Sequence, residues 1–137
     1  MTEMTKWADK NSPSFKTIGV SGIPYHDSGA DAVQEIAVVL STAVEYLRAM
    51  EARGVSASQA ASHIRVSVGL GANLFLEIAK LRALRQLWAS VITSCGGYKE
   101  SAKINLHGRT SAWAASKIDP WVNMLRGTTQ AFSGVIG

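Results

Sequence analysis

Three short segments of this 137-residue chain set its fold: KTIGVSG at 16–22, HIRVSVGLG at 63–71 and KINLHG at 103–108. Each alternates its side chains with the period of a half-buried strand. One parity is apolar in all three: Ile18 and Val20, then Ile64, Val66 and Val68, then Ile104 and Leu106. The other is small or polar: Thr17, Gly19 and Ser21, then Arg65, Ser67 and Gly69, then Asn105, His107 and Arg109. Helical periodicity fills the intervals, so strands and helices alternate. Single crossovers of this kind make a parallel sheet, and their right-handedness places every helix on one face. The apolar parity must meet those helices. The polar face stays open, whereas a parallel sheet is ordinarily covered on both faces. It must line the inside of a barrel or pack on another chain. Three units are too few to close an eight-stranded barrel. The predicted fold is therefore α/β: three consecutive βα units of a (β/α)8 TIM-type barrel, with parallel strands, helices on one face, and the barrel incomplete.

Strands are expected at about 16–21, 64–69 and 103–107, and helices at about 31–53, 73–94 and 119–133. Asp31 and Gln34 have capping-box spacing, with Ile36, Leu40, Val44 and Leu47 as the apolar stripe and Gly54 as the stop. Ser56 and Gln59 repeat that spacing ahead of a short helical turn. The second long helix carries Phe75, Ile78, Leu81, Leu84, Trp88 and Val91 and ends at Gly96-Gly97. Asp119-Pro120 supplies a cap and a first-turn proline for the last helix, with Val122, Leu125, Thr129 and Phe132 on its buried face. Residues 1–14 are polar, lack periodicity and end near Pro13, so they are expected to be a flexible tail or an expression remnant; residues 15–137 form the domain.

Composition excludes several classes of function. The single cysteine, Cys95, allows no intrachain disulfide and no cysteine-rich metal site, which fits a cytoplasmic location. No run of about 18 apolar residues occurs, so no membrane span is expected. The net charge of +4 comes from scattered Lys and Arg, without the clustering and interleaved aromatics of a nucleic-acid groove. Gly69–Gly71 follows a strand, but the third glycine of a dinucleotide fingerprint would fall at Leu74. No Walker loop, nucleophile elbow or metal-ligand spacing is present.

Two clusters remain. Tyr25-His26 follows the first strand at the rim where barrel enzymes build active sites. An imidazole beside a phenol could move protons, and equally His26 and Asp27 could organise the turn into the helix. HGRTS, residues 107–111, gathers His107, Arg109, Thr110 and Ser111 near the end of the third strand. It suits an acyl-CoA or phosphate contact, and equally a hydrogen-bonded network without a ligand. His63 is expected to be exposed, and Glu77 and Lys80, spaced i, i+3, to form a surface ion pair.

ANLFLEIAKLRALRQLWA (72–89), HGRTSAW (107–113), DPWVNMLRGTTQAF (119–132) and GADAVQEIAVVLSTAVEYLRA (29–49) together resemble the barrel domain of the adenosylcobalamin-dependent methylmalonyl-CoA mutases. The resemblance covers about residues 15–137 and implies the fifth to seventh βα units of the barrel. It implies an axial acyl-CoA channel lined by small hydrophilic side chains, which Thr17, Ser21 and Ser67 suit. Catalytic members read Ser-Gly-Tyr-His and then, four residues on, Gly-Ala. Here Ser21-Gly22 and Gly29-Ala30 bracket the same number of residues, and the family's tyrosine and catalytic histidine fall on Ile23 and Pro24. Tyr25-His26 sits two positions late, as in the small, non-catalytic subunit of heterodimeric mutases. Arg109 replaces a glutamine of catalytic chains, while His107, Thr110 and Ser111 match. The cobalamin-binding DxHxxG pattern is absent.

The resemblance thus implies a fragment of a small subunit with no catalytic residue of its own and no metal ligand. The fragment itself is expected to bind no cofactor, with adenosylcobalamin belonging to the complete enzyme. Its partner would be a catalytic large subunit. Candidate pocket or lumen residues are His107, Arg109, Thr110, Ser111, Ser21, Ser67, Tyr25 and His26. Two alternatives stay open: a piece of a catalytic acyl-CoA mutase whose His107 and Arg109 contact substrate, and a non-enzymatic self-associating module. Self-association of the fragment is expected in any case, because two sheet edges and one face lack partners.

Overall fold

The structure, a computed structural model, describes all 137 residues. Three strands, β1 (Ile18–Ser21), β2 (Ile64–Leu70) and β3 (Asn105–Thr110), form one parallel sheet in the order β1-β2-β3. Helices fill the crossovers: α1 (Thr2–Asn11), α2 (Ile23–Asp27), α3 (Ala32–Glu51), α4 (Ala57–Ser62), α5 (Leu74–Ser94) and α6 (Val122–Ile136). This is an open sheet with helices between its strands, as three consecutive units of an incomplete α/β barrel require.

The strand parity sorts as its chemistry demands. Ile18, Val20, Ile64, Val66 and Val68 are buried and join Val39, Ala43, Leu47, Met50, Leu81, Leu84, Trp88 and Ile92 in one core. On the other face the register stacks Gly19, Arg65 and Asn105 in one row and Ser21, Ser67 and His107 in the next. Arg65, Asn105 and His107 there are exposed. β3 starts and ends later than expected, so Arg109 and Thr110 belong to the strand.

Helix ends follow local chemistry. Asp31 accepts from the Gln34 amide while Gln34 returns a bond to the Asp31 N–H, the full capping box. At α4 only half the box forms: the Ser56 hydroxyl accepts from the Gln59 N–H, and the Gln59 side chain goes instead to Asp9. Asn73 caps α5 through the Leu76 N–H.

The sequence expectation for α6 needs correction. Asp119-Pro120 does not open the helix, which begins after Trp121 without a side-chain cap. Its inward face is Gln130 and Ser133, whereas Leu125 and Phe132 are 70% and 55% exposed. Close approach is the reason. A Cβ on Gly134 would lie 2.9 Å from Leu70 Cδ1, so the helix meets the sheet with its small residues and turns its apolar stripe outward. On α5, Phe75 is likewise exposed, and Ile92 takes the last buried place.

Residues 1–14 are not a tail. Most of the segment is α1, which buries Thr5 and Ala8 at the N-terminal end of the sheet. It docks through polar contacts that carry no hydrophobic period: Thr5 Oγ1 lies 2.7 Å from Thr17 Oγ1, and Asp9 accepts from Gln59 at 2.7 Å. Asp9 Oδ1 also lies 3.2 Å from Nε2 of His63. His63, expected at the surface, is fully buried, with Nδ1 2.7 Å from the Phe15 carbonyl. Both ring nitrogens of His63 thus face oxygen atoms, one from the loop before β1 and one from α1.

The bonds from Gln59 and then His63 hold the Asp9 carboxyl below its ordinary value of 3.8, against a smaller opposing effect of burial. A depressed folded value stabilises the docked helix above the unfolded value and loses that contribution as pH falls through the folded one. Acid titration followed by amide exchange in residues 2–11 is therefore expected to show α1 loosening below about pH 4. In Asp9→Asn, that acid-dependent step disappears.

Candidate functional site

The C-terminal ends of the strands converge on one buried polar cluster. β1 ends at Ser21, and the Gly22 N–H donates to the Ser67 carbonyl at 2.8 Å. A side chain at Gly22 would strike Glu35, with Cγ 2.7 Å from the added Cβ, so only glycine lets α3 pass this close. Pro24 follows in the first turn of α2, where a missing N–H costs nothing. The short helix sends neighbouring side chains apart: Tyr25 is 48% exposed, whereas the His26 side chain is only 12% exposed.

The His26 ring lies over Gly69 at the end of β2, and a Cβ there would overlap ring atoms Cγ and Cδ2. Nε2 is 2.8 Å from Ser111 Oγ, and Nδ1 is 3.7 Å from Glu35 Oε2. Glu35 is fully buried and well satisfied, accepting from the Gly69 N–H at 2.8 Å and from Lys80 Nζ at 2.9 Å. Lys80 also donates to the Gly69 carbonyl at 2.6 Å. Its third contact, Glu77 Oε2 at 2.5 Å, is a charge contact without hydrogen-bond alignment.

Glu77 and Lys80 are therefore not a surface pair: they are 5% and 3% exposed. The i, i+3 contact forms, but α3 brings Glu35 over it and excludes water. A line of polar groups, Ser111, His26, Glu35, Lys80 and Glu77, thus ties the loop just after β3 to α2, α3 and α5 around Gly69 of β2.

Ser111, His26 and Glu35 follow the hydroxyl–imidazole–carboxylate order of a nucleophilic triad. The geometry does not complete one. The 3.7 Å gap between Nδ1 and Glu35 exceeds hydrogen-bond range, and Glu35 is already engaged by an ammonium and an amide. Ser111 is itself 6% exposed. The cluster acts as a clasp that fixes the strand ends.

Arg109 and Asp27 form a second tie, 2.5 Å apart, from β3 to α2. The pair is single-pronged, leaving Asp27 Oδ1 and Arg109 Nε without partners. Both side chains are more than a third exposed, so the pair contributes at most about 1 kcal/mol.

The sequence-predicted residues thus divide. His26 and Ser111 meet in the clasp, Arg109 lies beside it, and Thr110 follows on the strand. Ser21, Ser67 and His107 form a row on the open face, and Tyr25 stands apart on the outer side of α2. Glu35, Lys80 and Asp27 were not singled out for the site. The signal for two of them was in the helical phase. Glu35 lies one turn from Val39 and two from Ala43, and Lys80 lies one and two turns from Leu84 and Trp88, so each charge sits on a buried stripe.

The family model for methylmalonyl-CoA mutase matches residues 1–137, the whole chain. The chain belongs to the methylmalonyl-CoA mutase family. The match takes in α1 as well, beyond the part from residue 15 on which the resemblance rested. The methylmalonyl-CoA mutase small subunit of Streptomyces virginiae is 36% identical over the whole chain, which spans 22% of that protein. The small subunit of Porphyromonas gingivalis is 38% identical over 94% of the chain, or 21% of its own length. The large subunit of Propionibacterium freudenreichii is 33% identical over the whole chain, 19% of its length. The chain thus spans about a fifth of these methylmalonyl-CoA mutase relatives. No helix is long and apolar enough to cross a membrane.

Proposed function

We propose that this chain is a piece of the small, non-catalytic subunit of a methylmalonyl-CoA mutase, and that it supports a catalytic large subunit. The observation that carries the reading is the placement of the rim imidazole. Ile23 and Pro24 occupy the start of α2, and neither side chain can give or take a proton. The histidine that follows, His26, is turned into the clasp and held by Ser111. Arg109 is tied to Asp27. The small-subunit relatives exceed the large subunit in identity by only a few points, so the rim residues, more than overall likeness, support the assignment.

In this reading the complete enzyme interconverts methylmalonyl-CoA and succinyl-CoA, and adenosylcobalamin supplies the radical. Within this chain the imidazoles of His26 and His63 are engaged by protein partners, and His107 alone is left facing the open sheet face. The chain's part is to hold one arc of the barrel in shape, in the cytoplasm.

A second reading rests on His107, which stands exposed in one row with Ser21 and Ser67 on the open face. It would contact acyl-CoA together with Arg109 if the chain came from a catalytic subunit. Turnover by the full-length parent paired with its partner subunit separates the two. With His107→Ala and Arg109→Ala, the small-subunit reading expects turnover within about threefold of wild type, whereas lost substrate contacts cost about tenfold or more each. The open face and the outward stripe of α6 also support self-association of the isolated chain.

A further inference from the structure

Beside the clasp, the end of β3, the loop that follows it and α6 line an open hollow of about 170 Å³. Its polar lining is Thr110, Ser111, Asn123, Arg126 and Gln130, and no acidic residue contributes. Two features set it apart from the other hollows of the molecule. Arg126 forms no ion pair, and its only side-chain bond is from Nη1 to the neutral Asn123 Oδ1 at 2.9 Å. Gln130 is 3% exposed and its carboxamide makes no hydrogen bond within the chain, but its amide atoms are not sealed off and open onto the cavity.

The surroundings explain why these groups are held rather than folded away. Asn123 is fixed from both directions, accepting from the Ser116 N–H at 3.0 Å and donating to the Ser116 carbonyl at 2.8 Å. It thereby anchors both the loop before α6 and the guanidinium. Arg126 and Gln130 are one helical turn apart and so share a face of α6. Ser111 reaches the cavity from just beyond β3; its N–H is taken by the Leu70 carbonyl, and its hydroxyl also meets His26.

We propose that this cavity is a binding site for a small oxyanion, a phosphate or a carboxylate group. Arg126 supplies the charge, the Gln130 amide and the Thr110 hydroxyl donate, and Ser111 joins the site to the clasp. A guanidinium with neutral donors around it and no competing carboxylate is the donor set such groups select. The site lies off the open sheet face, and it stands whether or not the small-subunit reading holds.

Calorimetric titration of the 137-residue chain with inorganic phosphate and, separately, with acetate tests this. At least one is expected to bind with Kd below about 10 mM, and the stronger of the two identifies the chemistry. Arg126→Gln is expected to weaken binding about tenfold or more, and Arg126→Lys less, because the charge remains. Gln130→Leu is expected to weaken it about fivefold, and it carries the same test should Arg126→Gln fail to fold. Arg65→Gln, an exposed guanidinium on the open sheet face, is the control and should leave binding unchanged. The proposal is overturned if neither anion binds below that limit, if binding survives in the cavity variants, or if Arg65→Gln weakens it equally.

Discussion

Lys80→Met is expected to destabilise the chain by about 3–5 kcal/mol, enough to unfold a marginal domain. Methionine matches the stem of lysine in length and leaves packing nearly unchanged, so the loss reads the ammonium group, its charge and its hydrogen bonds. Lys80 is the only ammonium or guanidinium in contact with Glu35 and Glu77, two carboxylates that are almost fully buried. Without it, both stay in a water-free site with no permanent cation opposite, and the Gly69 carbonyl loses its donor as well. The triple variant Lys80→Met, Glu35→Gln, Glu77→Gln removes the stranded charges and should recover a large part of the loss. The carboxamide introduced by Glu35→Gln can still accept from the Gly69 N–H, so that amide keeps its partner. Urea denaturation followed by circular dichroism measures both variants. An exposed i, i+3 pair, as the spacing of Glu77 and Lys80 alone suggests, would lose no more than about 0.5 kcal/mol.

Trp88→Ala should cost a similar amount, about 3–5 kcal/mol, by a different route. Trp88 is fully buried on α5 within the common core, and it is the largest side chain enclosed there. Its deletion leaves a hole that neighbours fixed in strands and helices fill only in part. Trp88 also carries a flaw: Nε1 has no hydrogen-bond partner. Trp88→Phe removes that orphan donor along with part of the ring, so its cost should fall to about 1 kcal/mol. If Phe were as damaging as Ala, the indole N–H would have a partner in solution that this packing lacks.

The contrast between these residues shows what was legible in the chain alone. The alternation of strands with helices gave the sheet its parallel sense, and strand parity its two unlike faces, because a period of two can be satisfied by Val66 inside and Ser67 outside in one way only. Local capping placed Asp31 and Ser56 for the same reason: the amides they cap lie within a few residues. What stayed hidden were contacts between distant segments. Glu77 and Lys80 look like a surface pair until Glu35, from another helix, faces them. His63 looks exposed until α1 covers it, and α1 is invisible because it docks through Thr5 and Asp9 instead of an apolar stripe. For α6 the stripe of Leu125 and Phe132 pointed the wrong way, since Gly134 made the polar side the closer fit to Leu70.

The Tyr25-His26 pair reads in sequence as an acid–base site, and the family resemblance implies that it sits two positions off the catalytic pair. The structure adds a physical reason for the histidine. Its ring is built into the clasp over Gly69, where it holds strand ends together.

Whether this arc of the barrel carries substrate chemistry is decided by titrating the chain with methylmalonyl-CoA and succinyl-CoA in a calorimeter. No binding tighter than about 1 mM is expected for either. Micromolar binding that is lost on His107→Ala or Arg109→Ala would contradict the small-subunit reading and place the chain in a catalytic subunit.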